Sequence, residues 1–214
     1  MTPRSQRWLS LADVTLLPGF ILLFIWRLQF TARWTWTIFV AWLIASFVLH
    51  RDSPRTLGWR ADNLWPATRQ SLVIFGAMAA ALVITGVALG APPHVPPNLA
   101  SWRRIWTYFA FCLLQQVAMN SLVHNRMLSL LRNEWVAAGL TGAIFAACHW
   151  PNPVLVPLTF IGGAAMAWMF GRVRNIIPLA IGQAILGSMI WWAFPVAWHH
   201  HLRVGPGYYT TPGD

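Results

Sequence analysis

The sequence predicts an all-α integral membrane protein, a single transmembrane domain built as a bundle of about seven helices, with six to eight as the range. Three observations carry this. The 214-residue chain is 57% hydrophobic and only 9% charged, whereas soluble domains carry about a quarter charged residues. Its apolar residues fall in runs of roughly twenty, the length a bilayer crossing needs. Between the runs lie short basic patches made wholly of arginine, the pattern that orients a membrane protein.

The basic start, MTPRSQRWLS, leads into an apolar run from Leu16 to Trp26. No small-residue cleavage site follows that run, which is read as an uncleaved first helix, about Leu11 to Leu28. A second span is expected from about Trp34 to Leu49. His50 to Gln70 carries Arg51, Arg55, Arg60, Arg69, Asp52 and Asp62, and reads as a connection at the membrane surface. Ser71 to Gly90 is rich in alanine, glycine and valine, which favours close helix packing. The prolines of APPHVPPNLAS make it a loop.

The fourth span runs from about Trp102 to Met127, the fifth from Glu134 to His149, where WPNP stops it. The sixth covers Val154 to Phe170 and includes Gly162-Gly163, a close-packing point. The seventh runs from Ile176 to about Trp198, and residues 199–214 form a short polar tail in which His199 to His201 read as interfacial. In this arrangement Arg4, Arg7, Arg51, Arg55, Arg60, Arg69, Arg126, Arg132, Arg172 and Arg174 share one side. Arg27, Arg33, Arg103, Arg104 and Arg203 fall on the other. That bias places the N-terminus in the cytoplasm.

A charge of +10 would also suit nucleic acid. No continuous basic face exists, so the expected partner is the lipid bilayer and not nucleic acid. Cys112 and Cys148 sit in apolar runs without paired spacing, and read as small buried hydrophobes.

Gln115 and Gln116 stand together inside an apolar span, where unanswered amides are costly. Steps of four from Gln116 reach Asn120 and His124, which puts the three on one helical face. The fifth span ends in His149, with Phe145 four residues earlier, and the seventh carries Gln183 followed by Gly187. Taken singly, each amide reads as interhelical glue worth about 0.6–2 kcal/mol. Together they read as one convergent polar site. None of the five acids (Asp13, Asp52, Asp62, Glu134, Asp214) lies centrally in a span, so a transporter coupling ions through a membrane charge is disfavoured. No cofactor is expected, and one histidine among neutral amides is a weak metal-ligand set.

The combination resembles the CPBP intramembrane proteases (CAAX-processing and bacteriocin-processing enzymes), whose helices carry EExxxR, FxxxH and HxxxN in that order. QQVAMN from Gln115 to Asn120 stands where the first motif would. FAACH from Phe145 to His149 matches the second in full, and QAILG from Gln183 to Gly187 stands where the third would. LGWRADN is similar to the segment preceding the core, so the resemblance covers about residues 57–188.

The resemblance implies an integral protein of the bacterial inner membrane acting on membrane-embedded or lipid-modified peptides. Carried over, its catalytic positions are Gln115, Gln116, Asn120, His149 and Gln183. Gln115 replaces the glutamate that activates water, and a carboxamide is not a usable base. Asn120 replaces the arginine. Gln183 still donates through its NH2, so it suits oxyanion stabilisation, while Gly187 offers no side chain. His149 is then the candidate base, with His124 an off-motif second. Two expectations stand: an endopeptidase using His149, or a catalytically inactive relative that binds a membrane peptide, lipid or partner protein. Both need His149 and Gln183 to meet, which requires the fifth span to end short inside the bundle or the spans to be offset in depth.

Overall fold

A computed structural model describes residues 3–90 and 99–210. The proline-rich loop expected after the third span falls mainly on residues 91–98, outside that set, as do residues 211–214. Every regular element among the described residues is helical. Helix α1 (Pro3–Leu23) continues through a π-helical turn, Phe24–Leu28, to Thr31. Then come α2 (Trp36–His50), α3 (Leu64–Ala88) and α4 (Leu99–Gln116). Helix α4 runs unbroken into a π-helical stretch, Val117–His124, and then α5 (Asn125–Leu130). The chain closes with α6 (Glu134–Ala147), α7 (Leu155–Val173), α8 (Ile176–Ala193) and the short α9 (Val196–His199).

Among the described residues, five helical segments are long and apolar enough to cross a membrane: Arg4–Thr31, Arg33–His50, Leu64–Ala88, Leu155–Val173 and Ile176–Ala193. The fourth expected span is helical but carries the π stretch, and the fifth is the 14-residue α6. At 1.5 Å per residue α6 is about 21 Å long, short of the ~30 Å hydrocarbon core.

Local chemistry explains where the helices start. The Asn133 carboxamide oxygen accepts from Trp135 and Val136 backbone N–H groups, and Glu134 sits in the first turn of α6, where a negative charge is favoured. Asn175 caps α8 through Ile177 N–H at 3.1 Å. Asn152 caps α7 through Val154 and Leu155 N–H.

Helices α6 and α7 form a close antiparallel hairpin, and α8 packs between α3 and α4. The hairpin is close because Gly142 faces Gly163: a Cβ on Gly142 would stand 2.7 Å from Ala164 N and Phe160 O. At the arginine-rich end, the connection after α2 is not a surface loop throughout. Ser121 Oγ donates to Leu57 O at 2.5 Å, Ile176 N–H to Gly58 O at 3.1 Å, and Asn125 Nδ2 to Thr56 O at 2.8 Å. Gly58 has φ +84°, and a Cβ there would meet Phe170 at 2.5 Å. The segment is drawn into the bundle because its carbonyls answer polar groups on α8 and on the α4–α5 rod.

At the opposite end the tail folds back. Asn152 Nδ2 donates to His199 O and Arg203 O, and Gly205 N–H to Trp150 O at 2.8 Å. His199 is buried against Trp191 rather than interfacial, because this fold-back covers it.

Candidate functional site

Four of the five expected site residues meet as a chain of amides. Asn120 Nδ2 donates to Gln116 Oε1 at 2.5 Å, Gln116 Nε2 to Gln183 Oε1 at 2.6 Å, and Gln183 Nε2 to Gln115 Oε1 at 2.6 Å. Gln116 Nε2 also lies 3.0 Å from Met166 Sδ. A thioether sulfur only accepts, so this contact sets the direction of the whole chain. Its head is the Asn120 carboxamide oxygen, buried without a partner. Its foot is the Gln115 NH2, which donates to nothing among the described residues.

The helical turn from Gln116 to Asn120 keeps those two on one face, as their spacing predicts. His124 does not follow. The π-helical stretch has a wider turn, and His124 instead faces α6, where its Nδ1 meets Thr141 Oγ1 at 3.1 Å. The Thr141 hydroxyl donates to Ala137 O at 2.8 Å, so it accepts from His124 Nδ1–H and leaves Nε2 bare and buried.

His149 comes to the same region because α6 ends early. It shares with Gln115 and Gln183 the lining of a cavity of about 900 Å³. It makes no hydrogen bond to the amides. Its Nδ1 lies 2.7 Å from Phe145 O, and its ring meets the Phe145 ring edge-on at 4.7 Å. A carbonyl only accepts, so Nδ1 carries the hydrogen, and neutral His149 has a bare Nε2 without a partner among the described residues. Phe145 links the two halves of the site: with Gln115, Gln116, Asn120 and Thr141 it also closes a small void of about 10 Å³.

The rest of the wall is mainly apolar, and among the described residues no arginine, aspartate or glutamate lies on it. Most of its polar side chains are engaged at home. Thr85 and Thr159 hydroxyls donate to their own helices, at 2.9 Å to Ala81 O and 2.7 Å to Leu155 O. Tyr108 lines the wall as well. Sequence reasoning missed Tyr108. A Cβ on Gly187 would stand 2.0 Å from the Tyr108 hydroxyl, so the tyrosine fills the space that a third-motif side chain would take. The available signal was a tyrosine seven residues before Gln115, about two turns along the helix.

A second polar cluster was also missed. Asp13 and Arg126 are 5% and 4% exposed, far inside the bundle. Asp13 accepts from Trp42 Nε1 at 2.9 Å, Ser46 Oγ at 2.6 Å and Arg126 Nε at 3.3 Å. His50 Nε2 lies 3.4 Å away without hydrogen-bonding geometry. Arg126 also grips Asp52 through both terminal nitrogens, at 3.3 and 2.5 Å. Arg126 is therefore a buried ion-pair partner of both Asp13 and Asp52, at the arginine-rich end. The cluster ties α1, α2 and α5 together, and none of its members lines the cavity.

Comparison of the chain with protein-family models, curated proteins and solved structures found no match.

Proposed function

We propose that this is a CPBP-like membrane protein whose amide site binds a membrane-embedded ligand, a peptide or lipid, without hydrolysing it. The observation that carries this is the amide chain itself. Its members hydrogen-bond one another in a fixed direction, no carboxylate among the described residues lines the cavity, and the open donor at its foot, Gln115 NH2, belongs to a cavity wall of mainly apolar side chains. Such a wall with few placed polar groups is how a small-molecule site is built. In this reading the α4–α5 rod and α6 are the fourth and fifth of seven spans in a bacterial inner membrane, with the arginine-rich end and the N-terminus in the cytoplasm.

The test is photocrosslinking of the reconstituted protein to membrane lipids and to an apolar membrane peptide, comparing wild type with Gln115→Leu. Ligand capture that falls in the variant is expected. Equal capture by both would overturn the proposal.

One observation favours a second reading, intramembrane peptide hydrolysis: the bare Nε2 of His149 belongs to the cavity that Gln115 and Gln183 line. Here His149 is the base, while Gln115 and Gln183 hold water and carbonyl. Cleavage of a membrane peptide library by wild type but not by His149→Ala supports this reading. Equal background in both rejects it.

A further inference from the structure

We infer that the ligand of the cavity is an uncharged long-chain acyl lipid with an amide-type head, its carbonyl held by Gln115 NH2 and its N–H by His149 Nε2. This rests on the binding reading above and narrows it to one chemical class.

Charge comes first. Among the described residues no ionic side chain lines the cavity, and a charge buried in apolar surroundings without a partner is strongly disfavoured. The wall therefore selects a neutral ligand. The head follows from what the wall leaves open. Of its three amides, Gln29 donates to Ile25 O and Gln183 donates to Gln115, so Gln115 is the one whose nitrogen is unengaged. His149 Nε2 is a bare acceptor. Among the carboxamides and the imidazole of the wall, that leaves one unengaged donor nitrogen and one bare acceptor nitrogen, which match a head with one carbonyl and one N–H.

The same count argues against a peptide. A helix end brought to this floor carries four unsatisfied backbone groups, and an extended strand carries two per residue. The open polar groups could not answer them. The body of the ligand follows from the rest of the wall. At about 900 Å³ the cavity lies at the large end of ligand sites, roughly 300–1,000 Å³. Phe111, Leu114 and Ile161 line it and are 53%, 41% and 57% exposed, so the cavity offers a large apolar surface to an acyl chain.

The experiment measures binding of three chain-matched probes to the full-length protein in detergent: a long-chain primary acyl amide (oleamide), an alkyl sulfate and an alkyl trimethylammonium. The expected result is that the amide binds at least about tenfold more tightly than either permanently charged probe, with Gln115→Leu losing about tenfold toward the amide alone. The comparison of probes uses the unmodified chain, so it stands even where the variant folds poorly. Equal binding of all three probes overturns the inference. So does failure of all three while an apolar membrane peptide still crosslinks in a Gln115-dependent manner, an outcome that leaves the binding reading intact. Failure of the probes and of the peptide together overturns both.

Discussion

Gln183 donates a hydrogen bond to Gln115 at 2.6 Å, joining α8 to the end of α4 across 68 positions of sequence. Gln183 also accepts from Gln116, so it spends both ends of its carboxamide on one neighbouring helix. Gln183→Leu therefore frees two groups, Gln115 Oε1 and one hydrogen of Gln116. Gln115→Leu frees only the Gln183 NH2 beside the cavity. Denaturation in mixed micelles should show Gln183→Leu as the more costly, by about 1–2 kcal/mol. The coupling between the two substitutions should fall near 0.6–1.7 kcal/mol, as for interhelical polar pairs in membranes.

The Tyr108 hydroxyl sits where a side chain on residue 187 would point. Gly187→Ala should destabilise the protein by about 1–3 kcal/mol through overpacking. Tyr108→Phe removes the oxygen that makes the 2.0 Å approach but leaves ring carbon 2.9 Å away. The double variant should recover part of the loss, and thermal unfolding of the three variants decides it. No recovery would mean that Tyr108 does not occupy that space.

Asp13 is enclosed by Trp42, Ser46, His50 and Arg126, so removing one charge strands the other. Arg126→Met should cost about 3–5 kcal/mol, the usual cost of breaking a buried pair from one side. Adding Asp13→Asn should return part of that loss. Equal stability of the single and double variants would show that the pair is not buried as described.

How far the fold is legible in the sequence differs by element. Five of the expected spans coincide with described helices long and apolar enough to cross a membrane, because roughly twenty apolar residues between arginines leave little alternative. The meeting of Gln115, Gln116, Asn120 and Gln183 is legible too, since buried amides must answer one another. The position of His124 is not, because its face depends on a π-helical stretch that changes the turn. Nor is the Asp13–Arg126 pair, whose partners are 113 positions apart and look like ordinary interfacial charges. The insertion of Leu57 and Gly58 depends on carbonyl acceptors, which side-chain patterns do not reveal.

At the arginine-rich end, Arg60 grips Asp62 at 3.1 and 2.6 Å and holds its carboxyl down to about 2, from 3.8. A folded value below the unfolded one means that this pair favours the folded loop above pH 4, and the advantage fades as pH falls toward 2. Asp62 is exposed and Arg60 only partly buried, so the effect is local and small. The Asp62 carboxyl should titrate near 2 by NMR in wild type, and return toward 3.8 in Arg60→Ala.

The last prediction separates the two central glutamines. Gln115 Oε1 already accepts from Gln183, and its nitrogen is unengaged, so Gln115→Glu keeps the hydrogen bond and turns the new oxygen toward a cavity roomy enough for water. Gln116 is 2% exposed, and its nitrogen faces two acceptors, Gln183 Oε1 and Met166 Sδ. Gln116→Glu puts a carboxylate oxygen against both, buried and unpaired. Gln115→Glu should fold within about 1 kcal/mol of wild type, and Gln116→Glu should lose about 3 kcal/mol or more. Gln115→Glu also supplies the base that the amide chain lacks, in the cavity that His149 lines. Any cleavage of a membrane peptide that this variant acquires should vanish in Gln115→Glu combined with His149→Ala. Equal destabilisation by the two single substitutions would contradict the direction assigned to the amide chain, because only that direction makes one glutamine replaceable and the other not.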